Sequence, residues 1–351
     1  MLFLEPRIRW HPAAIGFSLK RLRRLLDANP RPVAPNIWAF TPKTFPCGSS
    51  SPVYTLNNVL LTRQIRKTVR QLHFREPILW FCETSNAPTV RAALPQAPCV
   101  YHAIDYQRLE RDAKAAQDLA STSDVVIAST ELILNSLGVT GRPTYVLRNA
   151  WAPWPDTAPT AVPPELKNLP KPYAGLVGSL GPTLDFALLN ILAENLRASI
   201  IVIGEPTGGL SSADRTLLQL LRRKTNVYFL GKRPTAVLAQ YIAACDVCLA
   251  PYKQNERVYA SSPLKYWQYL ALGKPVVTTP VAELEDLEPL VRVARDCPSF
   301  VDAVRRILDC PEDAQVARRR RQYAASNTWE VRWQSLREFL KSVPTLSVLA
   351  D

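Results

Sequence analysis

The sequence predicts an α/β protein built from two Rossmann-like domains, each a parallel sheet covered by helices. Strand-like apolar runs alternate with helical patterns in both halves of the chain, and a proline-rich stretch interrupts this alternation in the middle. The length of 351 residues suits two domains of ordinary size. We therefore expect an N-terminal domain at 1–150, a linker at 151–171, a C-terminal domain at 172–326, and a last helix at 327–351 that can cross back to the first domain.

Each predicted strand is a short apolar run, and the segments between several of these runs have helical periodicity. In the first half the runs are MLFLEP, NIWAF, PILWF, CVYHAID, DVVIAS and TYVLRN. After the linker they are YAGLVGSL, ASIIVIGEP, NVYFLGKRP, DVCLAPY and KPVVTTP. The basic run Arg318–Arg321, just before the last helix, is predicted to be a solvated helix face.

The segment ASSPLKYWQYLALGKPVVTTP, residues 260–280, predicts a helix between a serine pair and a glycine. Ser262 is a suitable N-cap, so the helix should start there and carry Lys265 in its first turn. Free backbone N–H groups at such a start, together with the hydroxyls of Ser261 and Ser262, can bind an anion. Gln268 would follow one turn later on the same face. The competing interpretation is an ordinary capped helix with an exposed lysine.

Composition and charge indicate a globular protein with a strongly basic N-terminal part. An apolar fraction of 47% and a charged fraction of 21% are typical of a globular chain. Seven scattered cysteines predict a reduced cytoplasmic compartment. Cys245 and Cys248 have zinc-like spacing, but they also read as the start of a buried strand and have no matching second pair. Most of the net charge of +13 lies in residues 1–75. Binding to nucleic acid, to an anionic membrane or to an anionic substrate could each explain this positive charge.

The motifs of the C-terminal half, taken together and in order, resemble the donor-binding domain of GT-B glycosyltransferases. The matching stretch is NVYFLGKRPTAVLAQYIAACDVCLAPYKQNERVYASSPLKYWQYLALGKPVVTT, within a resemblance that covers roughly residues 170–330. Weaker matches in the first half are VYHAID, SDVVIASTEL and VLRNA. Within the group 1, family-4-like enzymes the chain is most similar to bacterial exopolysaccharide and teichuronic-type transferases, including the xanthan glucuronosyltransferase.

The resemblance implies a GT-B fold, with two Rossmann-like domains facing across a cleft, and a set of residues that bind a nucleotide-sugar. Ser261, Ser262 and Lys265 would hold the donor diphosphate, and Gln268 would face the ribose. The remaining donor residues follow predicted strands: Gly178 and Ser179 near the phosphates, and Gly231 and Lys232 near the nucleobase.

Two departures from the family pattern bear on mechanism and completeness. Retaining family-4-type enzymes carry two glutamates eight positions apart, but this chain has Ala260 and Gln268 there. An inverting transfer needs a base for the acceptor hydroxyl, and Asp105 at the end of CVYHAID is the candidate. Asp105 could equally be the N-cap of the next helix, and His102 on the same strand is a second candidate. In addition, the family's first strand–helix unit has no counterpart before MLFLEP.

The implied reaction moves a sugar from a nucleotide-sugar, expected to be a UDP-sugar, to a lipid-linked or polysaccharide acceptor in cell-surface polysaccharide synthesis. Helix N–H groups and cations would stabilise the leaving diphosphate, so we expect a metal-independent hexosyltransferase with no cofactor. Three alternatives stay open: a GT-B sugar-nucleotide epimerase, a catalytically inactive GT-B scaffold, and a basic nucleic-acid-binding protein. No nucleic-acid-binding motif supports the last, so we expect no nucleic-acid partner. Donor sugar, acceptor, linkage and oligomeric state are not fixed by the sequence.

The segment IGFSLKRLRRLLDANP, residues 15–30, predicts a basic amphipathic helix with one leucine-rich stripe. Such a helix can lie on an anionic membrane, or it can pack its stripe on the first sheet and leave the basic face solvated. Either arrangement fits a peripheral location at the inner face of the plasma membrane. The basic residues on the acceptor and membrane side are Lys20, Arg21, Arg23 and Arg24.

Overall fold

A computed structural model shows an α/β chain with three β-sheets. It describes residues 1–4, 29–42, 52–106, 112–153, 162–285, 287–288, 290–310 and 312–346. The helix predicted at residues 15–30, with its basic residues Lys20, Arg21, Arg23 and Arg24, lies outside the described residues apart from its last two positions.

The first strands form a small three-stranded sheet. They are β1 (Leu2–Leu4), β2 (Arg31–Ala34) and β3 (Ile37–Phe40). Strand β3 lies in the middle, parallel to β1 and antiparallel to β2. The sequence predicted β1 and β3 but missed β2. The reason is that all four residues of β2 are exposed, so no alternation of buried and solvent-facing side chains marks it.

The next four strands form a parallel sheet in the order β4-β5-β6-β7. Strand β6 is buried along its whole length, as its uniformly apolar sequence predicts for a parallel strand covered on both faces. The six strands predicted for the first half are therefore divided between two sheets. This sheet and its helices comprise β4 (Leu79–Phe81), β5 (Cys99–Ala103), β6 (Val125–Ala128), β7 (Thr144–Val146), α1 (Pro52–Gln71), α2 (Ala87–Ala93), α3 (Ala113–Thr122) and α4 (Glu131–Ser136).

The C-terminal domain contains a six-stranded, all-parallel sheet in the order β10-β9-β8-β11-β12-β13. The chain builds outward from β8 to β10 and then returns to place β11 on the other side of β8. The strand order thus reverses between β8 and β11, and ligands of open α/β sheets bind in the crevice at the carboxyl ends beside such a point. The strands are β8 (Tyr173–Val177), β9 (Ser199–Ile203), β10 (Val227–Gly231), β11 (Val247–Ala250), β12 (Val276–Thr278) and β13 (Arg292–Val293).

Helices pack against the C-terminal sheet. The short helices α8 and α9 follow β11 and lie at the crevice, and their bounds determine where the candidate residues sit. In chain order the helices are α5 (Phe186–Asn195), α6 (Ser212–Leu221), α7 (Thr235–Ala244), α8 (Glu256–Tyr259), α9 (Lys265–Ala271), α10 (Ala282–Glu285), α11 (Cys297–Asp309), α12 (Ala314–Ala325) and α13 (Trp329–Lys341).

The end of the chain connects the two domains. The Trp151 indole donates to the Ala324 carbonyl at 2.9 Å, and the Trp329 N–H donates to the Trp151 carbonyl at 3.1 Å. Helix α13 then packs on the four-stranded sheet. The buried residues of this contact are Val100, Val125, Ile127, Leu147, Leu336, Leu340, Val343 and Leu346.

Helix α12 contains the basic run, and one of its arginines is buried. Arg320 is 2% exposed, forms an ion pair with Glu312 and donates to the carbonyls of Leu290 and Gly273. The prediction of a solvated basic face was therefore wrong at Arg320, because the chain that follows α9 packs directly against this helix.

Candidate functional site

The carboxyl ends of β8 and β9 approach each other so closely that both carry glycine. A Cβ added at Gly204 would lie 1.9 Å from the carbonyl oxygen of Gly178, an impossible contact for any side chain. The Gly178 backbone has a φ of +128°, and its N–H donates to the Ile203 carbonyl at 2.8 Å. Ser179 follows and is exposed. The strand ends thus offer backbone, free of side chains, to the crevice.

Lys265 lies directly against this backbone. A Cβ added at Gly178 would be 3.4 Å from its Cε and 3.6 Å from its Nζ. The ammonium is also 5.1 Å from the centre of the Tyr252 ring. Burial alone lowers the pKa of Lys265 to about 8, and no acid among the described residues forms an ion pair with it. An unpaired, partly dehydrated cation at a strand-order reversal is suited to an anionic ligand.

The turn before Lys265 differs from the predicted helix start. Helix α9 begins at Lys265, and Leu264 occupies the N-cap position without any side-chain cap. The Ser261 hydroxyl donates to the Val258 carbonyl at 2.6 Å, while the Ser262 hydroxyl accepts from the Asn149 N–H at 3.2 Å. The prediction that Ser262 caps the helix was wrong: the helix starts three residues later, and Asn149 of the N-terminal domain holds Ser262 in the turn before it.

Three residues of the N-terminal domain reach this part of the C-terminal domain. The Thr130 hydroxyl donates to the Ala260 carbonyl at 2.9 Å, and the Asn149 side chain donates to the Ser262 carbonyl at 2.7 Å. The Tyr106 hydroxyl donates to Glu256 at 2.9 Å. The sequence did not predict these three contacts, because a single sequence contains no local signal for contacts between residues more than 100 positions apart.

The other predicted donor residues surround Lys265 at different distances. Gln268 lies one turn further along α9 and is partly exposed. Gly231 ends β10, and the exposed Lys232 follows it. Since β10 is two strands away from β8, these two residues are roughly 10 Å from Gly178 along the same sheet edge. An extended ligand could span that distance.

The two candidate bases lie at the carboxyl end of β5. Asp105 is exposed and precedes Tyr106, whose hydroxyl reaches Glu256 of the other domain. His102 packs edge-on against Trp80, with ring centres 5.9 Å apart, and burial lowers its pKa to about 4. At neutral pH His102 is therefore uncharged. Its ring is partly covered by Trp80, whereas Asp105 is exposed, and this accessibility favours Asp105 as the base.

A buried acid lies under the turn that precedes α9. Glu283 is 5% exposed, and neither carboxylate oxygen has a hydrogen-bond partner of good geometry among the described residues. Burial raises its pKa, an effect that the Ser262 and Tyr266 hydroxyls and the charges of Arg148 and Arg332 oppose. Sequence reasoning did not single it out, since an isolated glutamate after a strand carries no distinctive signal.

The cysteine pair with zinc-like spacing belongs to the core of the C-terminal domain. Cys245 and Cys248 are fully buried in the sheet core. In the part of the chain that the structure describes, no three histidine, cysteine or acidic side chains come together as potential metal ligands. None of the helices described is long and apolar enough to cross a membrane.

Comparisons with known proteins identify the C-terminal domain. Residues 172–310 match the family model for glycosyl transferases group 1. The putative teichuronic acid biosynthesis glycosyltransferase TuaH of Bacillus subtilis (strain 168) is 27% identical over 170 residues. That alignment covers 47% of this chain and 42% of TuaH, so this chain spans less than half the length of that relative.

Solved structures are similar over nearly the whole chain. Anabaena Alr3699/HepE in complex with UDP has a TM-score of 0.64 and 19% identity, covering 87% of this chain and 86% of that one. Sucrose-phosphate synthase from Thermosynechococcus elongatus has a TM-score of 0.66 and 17% identity, covering 89% and 85%. An E. coli trehalose-6-phosphate structure with UDP-2-fluoro glucose has a TM-score of 0.68 and 13% identity, covering 96% and 98%.

The solved structures show that the chain has the GT-B fold, the fold of these glycosyltransferases. The predicted GT-B architecture is confirmed by the solved structures, and the resemblance drawn from the C-terminal motifs is confirmed by the family match. Within that fold, residues 172–310 form a group 1 glycosyl transferase domain.

Proposed function

We propose that the protein transfers a sugar from a UDP-sugar to a lipid-linked or polysaccharide acceptor. The observation that carries this proposal is the unpaired Lys265 ammonium above the Gly178 backbone at the strand-order reversal. A nucleotide diphosphate would be the negatively charged partner that the Lys265 ammonium lacks. The glycine at position 178 would let the diphosphate approach the backbone closely. Relatives of this fold have been solved with UDP and with UDP-2-fluoro glucose.

In this proposal the donor lies along the carboxyl edge of the C-terminal sheet. Lys265 and the N–H groups after β8 hold the diphosphate, with Ser179 beside it and Ser261 and Ser262 shaping the turn. Gln268 faces the ribose from the next turn of α9. At the far end of the edge, Gly231 and Lys232 are close to the nucleobase. As the bond to the sugar breaks, charge develops on the diphosphate, and Lys265 stabilises it more strongly than it does the intact donor.

Asp105 is the proposed general base for an inverting transfer. It would accept the acceptor hydroxyl proton as the new glycosidic bond forms and the diphosphate leaves. His102 is the second candidate, and it is less accessible because its ring packs against Trp80. The family's two retaining glutamates are replaced by Ala260 and Gln268, which supports an inverting route. No metal or cofactor is part of this proposal.

The proposed location is the inner face of the plasma membrane, where a lipid-linked acceptor would be available. The concentration of positive charge in the first 75 residues supports this, since each basic residue near an anionic surface contributes about 1 kcal/mol. Helix α1 adds an exposed apolar pair, Leu56 at 48% and Val59 at 44% exposed. Binding to anionic vesicles should weaken with salt and with the joint change of Lys20, Arg21, Arg23 and Arg24 to Gln. Equal binding to neutral vesicles would contradict this location.

The donor site is tested by measuring UDP affinity calorimetrically in the full chain. Lys265→Ala should weaken UDP binding by about 1.5–3 kcal/mol, because it removes a charge-assisted contact. Lys274→Ala is the matched control, since Lys274 lies beyond the opposite end of the same short helix. A Lys265→Ala variant that binds UDP like wild type would refute the proposed site. A thermal-shift screen with UDP-, GDP- and dTDP-sugars then identifies the nucleobase of the donor. Product formation without an acceptor would indicate an epimerase instead.

A further inference from the structure

The 260–262 turn, which leads into Lys265, is held from two directions. The body of α9 is fixed to the C-terminal sheet, where the Val177 N–H donates to the Tyr269 hydroxyl at 3.0 Å. The turn itself is held by the N-terminal domain through the hydrogen bonds of Thr130 and Asn149. The position of the first residue of α9 therefore depends on both domains.

The contacts from the N-terminal domain are placed to control the shape of this turn. Thr130 follows β6 and Asn149 follows β7, so both come from the carboxyl edge of the four-stranded sheet. The Ala260 carbonyl is buried with the rest of its residue, and the Thr130 hydroxyl is its hydrogen-bond donor. Without that donor a buried acceptor would be unsatisfied, which is costly enough for the turn to rearrange.

Asn149 binds the neighbouring residue at two atoms. Its side-chain amide donates to the Ser262 carbonyl at 2.7 Å, and its backbone N–H donates to the Ser262 hydroxyl at 3.2 Å. Paired bonds of this kind fix both the position and the orientation of a residue. Lys265 is only three residues further on, so a shift of Ser262 would move the lysine relative to Gly178.

We propose that Thr130 and Asn149 are positioning residues: they hold the 260–262 turn in the conformation that lets Lys265 bind a nucleotide diphosphate. Nucleotide binding is therefore coupled to the packing of the two domains. This inference rests on the donor site proposed above. It adds that the N-terminal domain contributes to nucleotide affinity without touching the nucleotide. Because coupling is reciprocal, bound nucleotide should in turn stabilise the contacts of Asn149.

The first experiment measures UDP affinity in variants of these two residues. Asn149→Ala removes the bond to the Ser262 carbonyl. Thr130→Val removes the bond to the Ala260 carbonyl and also the N-cap of α4, in which the Thr130 hydroxyl accepts from the Ile133 N–H. Each should weaken UDP binding roughly fivefold, the equivalent of one ordinary hydrogen bond. Thr130→Ser keeps the hydroxyl and should bind UDP like wild type. Trp151→Phe is the matched control, because it removes a hydrogen bond to Ala324 at the domain junction but none to the turn.

The second experiment measures amide hydrogen exchange with and without UDP. If Thr130 and Asn149 had only a structural role, UDP would not change the exchange rates near Asn149. In wild type, saturating UDP should slow exchange of the backbone amides at 147–150, including the Asn149 N–H that donates to Ser262. In Lys265→Ala at the same UDP concentration this protection should be absent. Should Thr130→Val fail to fold, Asn149→Ala and the exchange measurement still decide the outcome.

The outcomes separate this inference from the donor site. If wild type does not bind UDP, or Lys265→Ala binds it normally, the proposed function fails. If wild type binds UDP and Lys265→Ala does not, while Asn149→Ala and Thr130→Val keep wild-type affinity and UDP leaves exchange at 147–150 unchanged, only the coupling is refuted.

Discussion

The affinity of the protein for UDP should fall as pH rises above 8, because Lys265 loses its charge there. Burial lowers its pKa to about 8, whereas a free lysine titrates near 10.4. The charged form is the one that binds a diphosphate, so affinity is greatest below pH 8. Once the diphosphate is bound, its charge raises the lysine pKa again, and binding at high pH must take up a proton.

The size of the effect follows from this pKa. The charged fraction of a group with pKa 8 falls from one half at pH 8 to about 3% at pH 9.5, so affinity should drop about 16-fold, or about 1.6 kcal/mol. Calorimetric titrations with UDP at several pH values, each in buffers of different ionisation enthalpy, would measure both the affinity and the proton uptake. The UDP phosphates are already ionised over this range and contribute little to the change.

Lys265→Arg provides the internal control, because arginine stays charged throughout. Its affinity for UDP should be lower than that of wild type, since the guanidinium fork demands different geometry, but it should be flat from pH 7.5 to 9.5. A wild-type affinity that is equally flat, with no proton uptake, would show that Lys265 does not meet the diphosphate.

Four further changes test other parts of the structure. Lys265→Met should raise the melting temperature of the nucleotide-free protein by about 2–4 °C, because it removes a partly dehydrated, unpaired charge, and a lower melting temperature would contradict this account. Asp105→Asn should reduce turnover by about 10²–10⁴-fold and leave UDP affinity unchanged, since Asn caps helices nearly as well as Asp; wild-type turnover would transfer the role to another group. The folded-state pKa of Glu283 is raised, so the contribution of this carboxyl to stability is most favourable at acidic pH and is lost as pH rises from its unfolded-state pKa through its folded-state pKa. Glu283→Gln should therefore unfold at higher denaturant concentration than wild type at pH 8, with a difference that shrinks toward pH 4.5, and a constant difference would rule out titration of Glu283. Gly204→Ala should destabilise the fold by at least about 2–4 kcal/mol in urea titrations, because its Cβ would overlap the Gly178 carbonyl.

Most strands, and the motif around Lys265, could be recognised in the sequence because their signals are local. A buried strand such as β6 is a short apolar run, and the motif around Lys265 lies within twenty residues of continuous sequence. The exposed strand β2 has no such run. The buried Arg320 was also unpredictable, since its sequence neighbours are arginines and its partners lie in chain segments that only the fold brings close.

The start of α9 shows why the conformation of the candidate site could not be predicted from the sequence. A serine followed by proline is a strong local signal for a helix start, and the sequence prediction placed the N-cap at Ser262 on that basis. In the folded protein the Ser262 hydroxyl accepts from the Asn149 N–H and caps no helix, and α9 begins three residues later at Lys265. A local preference of about 1 kcal/mol is therefore outweighed by paired contacts from the other domain. In the proposal made above, the contacts that shift the helix start are also the ones that place Lys265 above Gly178. The proposed donor site therefore depends on both domains, although all its proposed ligands lie in one.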